Sequence, residues 1–250
     1  MIDAAHLSPW LLLMAPLMIV IAYTVFGLSG FGSTVIAIPV LAHFLPVSFL
    51  VPMMAVLDLF SSAFLGTRGR EQVAKQELKW LIPCMLAGFA LGATVLVSVP
   101  DRYLRIALGV FTVAVGINSI VNPVLHRTIS RWWVVPSGLV GGSIATIFGA
   151  GGPIYATYLS GRLRDKTEIR STLSALISIS AFSRAVIYAV SGLLLHLAVG
   201  AGIVLLSPFV WMGLKLGGRI HVGFTQVQMR RAIGALLLLT GASLLVRVFL

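Results

Sequence analysis

Two charged residues stand inside long apolar runs: Asp58 in the run 47–66 and Arg184 in the run 171–194. A charge at membrane depth is costly, and by default it marks a functional site. Arg184 could offer a planar guanidinium fork to an oxyanion. Asp58 could take up a proton or balance that arginine. The competing reading is a purely structural Asp58–Arg184 pair. Lys215 lies nearer the end of its run, where a lysine snorkels to the interface. Asn118, Ser174, Ser178, Ser180 and Ser183 could line a path, or simply bond a neighbouring helix.

Two glycine-rich breaks are the other chemical feature: Gly27-Leu28-Ser29-Gly30-Phe31-Gly32 and Gly149-Ala150-Gly151-Gly152-Pro153. Such breaks free backbone groups that helix bonds do not satisfy, which is tolerated at membrane depth only inside protein or beside a polar cavity. A helix N-terminus there presents N–H groups with partial positive charge, which suits an anion. The candidate anion contacts are therefore Gly30, Gly32, Ser33 and Thr34 after the first break. After the second they are Gly149, Gly151, Gly152, Pro153 and Tyr155, with the Thr157 hydroxyl nearby; Arg184 joins both sets. Asp58 is the candidate proton carrier or counter-charge. Glycine also allows helices to pack closely, and for Gly88/Gly92 and Gly213/Gly217, at small-xxx-small spacing, that is the better reading.

The elements that must position these residues follow from composition. Of 250 residues, 58% are hydrophobic and 10% charged, with mean hydropathy +1.03. A soluble domain carries about 25% charged residues, so a soluble enzyme, a disordered chain and a disulfide scaffold are excluded. Apolar runs cover 9–26, 33–45, 47–66, 80–99, 104–122, 133–148, 153–160, 171–194, 198–218 and 229–249. The expected class is an all-α polytopic membrane protein, since a crossing needs about 20 apolar residues. The net charge of +11 comes from clusters between the runs. It reads as positive-inside bias, with no nucleic acid partner. Cys84, alone, makes no internal disulfide, and the stretch before Trp10 lacks the basic region of a cleaved leader. The five histidines, His6, His43, His126, His196 and His221, are scattered, so no metal site is expected. No HExxH, CxxC, Walker loop or GxSxG is present, so neither enzyme chemistry nor a cofactor is expected.

An internal repeat sets the architecture. Pro83, Gly88 and Gly92 recur as Pro208, Gly213 and Gly217 at an offset of 125. At the same offset Arg105, Ala107, Gly109 and Gly116 meet Arg230, Ala232, Gly234 and Gly241; Gly30 and Gly32 meet Gly149 and Gly151 at 119. The expected halves are residues 1–125 and 126–250, together one membrane domain. If each broken region were one crossing, loop Lys and Arg would divide seven (68, 70, 75, 79, 127, 131, 247) against nine. If each is a hairpin that returns to its starting side, they divide thirteen against three, the three being Arg102, Arg105 and Arg247. The positive-inside rule selects the hairpins. Basic loop 67–79 has an uncharged counterpart near 193–197, and basic loop 161–170 one near 45–47. Two inverted repeats are thus expected, each a glycine-broken hairpin plus three transmembrane helices, with both termini periplasmic. Run 153–160 is too short to span.

The stretch Gly27-Leu-Ser-Gly-Phe-Gly-Ser-Thr-Val-Ile-Ala-Ile-Pro39 and its partner Gly141-Gly-Ser-Ile-Ala-Thr-Ile-Phe-Gly-Ala-Gly-Gly152-Pro153 resemble the TauE/SafE family, the sulfite-exporter-type permeases also called TSUP. The likeness runs from about residue 20 to 246; Ser33 stands where a further glycine is common. It implies a bacterial inner-membrane transporter of sulfite, organosulfonates or related small organic anions, often an exporter. Together with the residues, the expectation is alternating access, by a monomer or homodimer, driven by a gradient such as protons or facilitative. The alternatives are uptake, an anion channel without a coupled cycle, and a membrane subunit that scaffolds a partner.

Overall fold

In the computed structural model the described residues are 9–29, 32–65, 73–121, 129–195, 197–219 and 226–249. Among them are ten α-helices and no strand: α1 (Pro9–Ser29), α2 (Ser33–Leu41), α3 (Val47–Leu65), α4 (Lys75–Ser98), α5 (Asp101–Val121), α6 (Val134–Phe148), α7 (Gly152–Arg162), α8 (Lys166–Val190), α9 (Leu197–Arg219) and α10 (Gln226–Phe249). A single 3-10 turn, Arg131–Trp133, leads into α6. Four helices, α4, α5, α8 and α9, are long and apolar enough to cross a membrane. α1, α3 and α10 contain shorter apolar stretches. At 1.5 Å per residue, α2 and α7 reach only about 14–17 Å, half of a roughly 30 Å hydrocarbon core.

Local sequence explains the helix ends. Asp165 caps α8, its carboxylate accepting the Glu168 N–H at 2.8 Å, so α8 begins five residues before the apolar run. Gly149 ends α6 in the left-handed region, at φ 70°, and Gly32 precedes α2 at φ 99°. Both are positions where a side chain would strain the backbone. The first break is shorter than the glycine pattern suggests, because α1 continues through Ser29. Gly27 therefore sits in a helix, and a Cβ there would lie 3.2 Å from Gly217 Cα of α9.

Glycine contacts organise the bundle. A Cβ on Gly88 of α4 would collide with the Leu139 carbonyl of α6, and one on Gly92 would come within 2.8 Å of Thr146. On α9, Gly213 meets Val20 and Tyr23 of α1, while Gly217 meets Thr24 and Gly27. α5 and α10 run antiparallel, with Gly109 against Gly241 and Gly116 against Gly234. The packing reading of these glycines follows directly, since only a missing Cβ allows such approach. α3 lies against α8. α7 folds back along α6, bringing the Tyr155 ring against Gly141. The aliphatic core is formed by residues such as Ile19, Ile38, Leu50 and Met54, whereas Leu13, Val110 and Leu239 point outward.

Candidate functional site

The two glycine breaks meet at the centre of the bundle. Thr34 Oγ1, in the first turn of α2, donates to the Gly149 carbonyl at 2.5 Å, joining the breaks directly. Around this contact a narrow cleft is lined by Gly32, Ser33, Thr34, Asp58, Gly149, Gly151, Gly152, Tyr155 and Arg184. Phe26, Val35, Ala145, Ile177 and Ser180 complete it. Asp58 and every candidate anion contact except Gly30 and Pro153 therefore line one space. Gly30 lies outside the described residues, and Pro153 is at the start of α7 but does not line the cleft.

Asp58 and Arg184 are both buried, each 3% exposed. Asp58 Oδ1 accepts from Ser33 Oγ at 2.7 Å and from Tyr23 Oη at 2.9 Å. Its Oδ2 lies 3.5 Å from Arg184 Nη2, so the pair foreseen as a structural possibility does form, between α3 and α8. Arg184 Nη1 donates to the Ala145 carbonyl at 3.1 Å, at the C-terminal end of α6. Tyr188, one turn further along α8, donates to the Thr146 carbonyl at 2.5 Å. The carbonyls at a helix C-terminus carry partial negative charge, so the guanidinium rests between a helix end and a carboxylate. Through Ser33, the Asp58 carboxylate is held at the N-terminus of α2, where the partial charge is positive.

The start of α7 is arranged differently. Gly151 and Gly152 open it without a side-chain cap. Two buried donors in the cleft, Arg184 Nε and Tyr155 Oη, have no hydrogen-bond partner among the described residues. Buried donors are nearly always satisfied, so unmet ones beside a helix N-terminus could take an acceptor.

Other candidates are not brought there. Ser178 bonds the Ser174 carbonyl of its own helix at 2.9 Å, Thr157 bonds the Pro153 carbonyl at 2.8 Å, and Lys215 Nζ sits 3.5 Å over the Trp211 ring. Ser180 does reach the cleft. Sequence reasoning missed Tyr23 and Tyr188, which hold the two charges. It also missed Glu77, buried in the first turn of α4. Glu77 accepts from Tyr158 Oη at 2.7 Å and from Arg162 Nη2 at 3.0 Å, with Arg131 Nη2 at 3.7 Å. This cluster ties the end of α7 to α4. The signal was a carboxylate beside the apolar run 80–99, masked by Lys75 and Lys79.

The model of the family described as "Sulfite exporter TauE/SafE" matches residues 15–244. A relative from Comamonas testosteroni, described as "Probable inner membrane transporter protein TsaS", is 25% identical over 194 residues, covering 77% of this chain and 81% of its own length. No solved structure matches. With both breaks and the duplicated glycines inside the matched region, the chain belongs to the sulfite exporter TauE/SafE family.

Proposed function

We propose that this chain is a secondary transporter of the bacterial inner membrane, carrying sulfite, sulfonates or related small anions outward by alternating access. The observation that carries the anion site is the pair of unmet donors, Arg184 Nε and Tyr155 Oη, lining the cleft beside the N-terminus of α7. An oxyanion is an acceptor several times over and carries the charge that a helix N-terminus favours. The sulfur-anion class and the membrane come from the family and from the relative's description.

In this reading Asp58 is an internal competitor for Arg184. While ionised, it balances the guanidinium and occupies the Ser33 and Tyr23 hydroxyls. When protonated, it releases Arg184 to the substrate, so a proton and an anion cross in the same direction, and export runs down the anion's own gradient against an inward proton gradient. Bringing an anion against an unbalanced arginine, rather than displacing a carboxylate, is what makes such coupling favourable.

The two-state framework we infer is a pair of inverted halves, 1–125 and 126–250, with both termini periplasmic. Three packing features support it. The contacts of Gly88 and Gly92 with residues 139–146 reappear, at the two offsets of 125 and 119, as those of Gly213 and Gly217 with residues 20–27. Equivalent helices α5 and α10 run antiparallel. That direction requires an odd number of crossings from the end of α5 to the end of α10, and so a returning α6–α7 hairpin; the Tyr155 ring against Gly141 fits the same return. Inverted repeats with discontinuous helices place their site between the halves.

The test is counterflow in proteoliposomes. Vesicles preloaded with unlabelled sulfite should accumulate external labelled sulfite transiently, with saturation. Flux that never saturates and shows no counterflow would make the cleft a channel, and absence of flux for every sulfur oxyanion would overturn the substrate class.

A further inference from the structure

At one end of the bundle, away from the central cleft, the first turn of α5 and the last turns of α10 form a second concavity. It is lined by Asp101, Arg102, Arg105, Leu244, Arg247 and Val248. These three arginines are the very ones that the hairpin topology leaves on the side otherwise without Lys or Arg. The fold gathers them into one place from positions more than 140 residues apart in the sequence.

Their charge is only partly used. Arg105 Nε donates to Asp101 Oδ2 at 2.6 Å, and Asp101 Oδ1 accepts the Val47 N–H at 2.7 Å, fixing the start of α3. Arg102 and Arg247 are exposed and have no carboxylate partner among the described residues. Three arginines and one aspartate leave the concavity with two positive charges in excess.

The rest of its surroundings is apolar. Leu244 and Val248 form its wall. Down α5 from the arginines, Tyr103, Val110 and Ile117 are exposed by 62%, 55% and 50%, a seven-residue spacing that keeps one helix face turned outward. On α10, Leu239 and Val246 repeat the same spacing at 74% and 57% exposure. In a membrane helix such a stripe faces acyl chains, and an interfacial tyrosine marks the headgroup level. A cationic mouth above an aliphatic stripe has the two-part chemistry of a phospholipid: phosphate at the arginines, chains along the helices. A soluble anion needs only the first part.

We propose that the α5–α10 end binds the phosphodiester of an anionic phospholipid, with Arg102 and Arg247 as its contacts. A zwitterionic lipid carries its own ammonium beside the phosphate, so the excess positive charge selects the anionic headgroup.

The experiment is a lipid titration of delipidated protein in detergent by native mass spectrometry, with phosphatidylglycerol and phosphatidylcholine of identical chains. Phosphatidylglycerol should bind about thirtyfold more tightly, from two unpaired arginines near the surface. R102Q/R247Q should bring it to the phosphatidylcholine level with helix content unchanged, and each single variant should lose part of the preference. R170Q, an exposed arginine elsewhere, should retain it. Equal binding of the two lipids, full preference in the single and double variants, or an equal loss in R170Q would overturn the proposal. Competition by glycerophosphoglycerol or inorganic phosphate as effective as by the lipid would overturn it in favour of a soluble-anion site.

Discussion

Removing both partners of the Asp58–Arg184 pair should cost much less than the two single removals added together. At the observed 3.5 Å separation the direct attraction is about 5 kcal/mol for an effective dielectric near 20. Desolvation of two fully buried groups offsets much of this, so the pair contributes little net stability. Asp58→Asn alone leaves the guanidinium buried with only the α6 carbonyl end to balance it. Arg184→Gln alone strands a carboxylate. Each single variant should lose about 3–5 kcal/mol. The double variant Asp58→Asn/Arg184→Gln keeps neutral hydrogen-bonding groups in the same volume, and its loss should fall short of the summed singles by about 3 kcal/mol. The assay is reversible unfolding in mixed micelles, followed by circular dichroism, for all four members of the cycle. Additive losses, or an Asp58→Asn loss below about 1 kcal/mol, would refute the claim that the two charges depend on each other.

Further predictions separate the site from its scaffold. Tyr155→Phe removes a hydroxyl without a partner among the described residues; stability should hold or rise slightly, while the substrate concentration for half-maximal flux should increase about tenfold, equivalent to one lost charged hydrogen bond. Gly149→Ala forces a side chain into the left-handed region and to within 2.8 Å of Thr34 Cβ; a loss of about 1–3 kcal/mol is expected by thermal unfolding. Gly88→Val would drive a branched side chain into the Leu139 carbonyl and should prevent α4 from seating on α6, read as loss of the folded monodisperse peak. Gly218→Ala meets nothing within 4 Å and should be neutral or stabilise by up to about 1 kcal/mol. Glu77→Gln removes the charge facing Arg162 and Arg131; accessibility of a single cysteine at position 163 to a thiol reagent should increase as the end of α7 loosens.

The site was legible where membrane physics leaves a residue only one explanation. Asp58 and Arg184 stand out because lipid tolerates no idle charge, and Gly149 because only glycine ends a helix comfortably at φ 70°. Their supports were not legible. Tyr23 and Tyr188 look like any aromatic in an apolar helix, and their hydroxyl bonds exist only once α1, α3, α6 and α8 are packed. Glu77 beside Lys75 and Lys79 reads as a solvated turn, because a sequence does not reveal that Tyr158 and Arg162, over eighty residues away, return to it. Gly27 was grouped with the break because spacing alone does not separate a glycine that ends a helix from one that lets α9 approach. The glycines from which a repeat is expected were, in contrast, visible, and their missing side chains set the packing of α4, α5, α9 and α10.

The most direct measurement of the anion-site claim is sulfite flux into proteoliposomes, with and without an imposed pH gradient, for the native chain and for Asp58→Asn/Arg184→Gln. The double variant is chosen because its buried charges are both removed and its fold is expected to survive. The account predicts saturable, gradient-dependent flux in the native protein and none in the folded double variant. Unchanged gradient-dependent flux in that variant would contradict an anion site built on Arg184 and gated by Asp58.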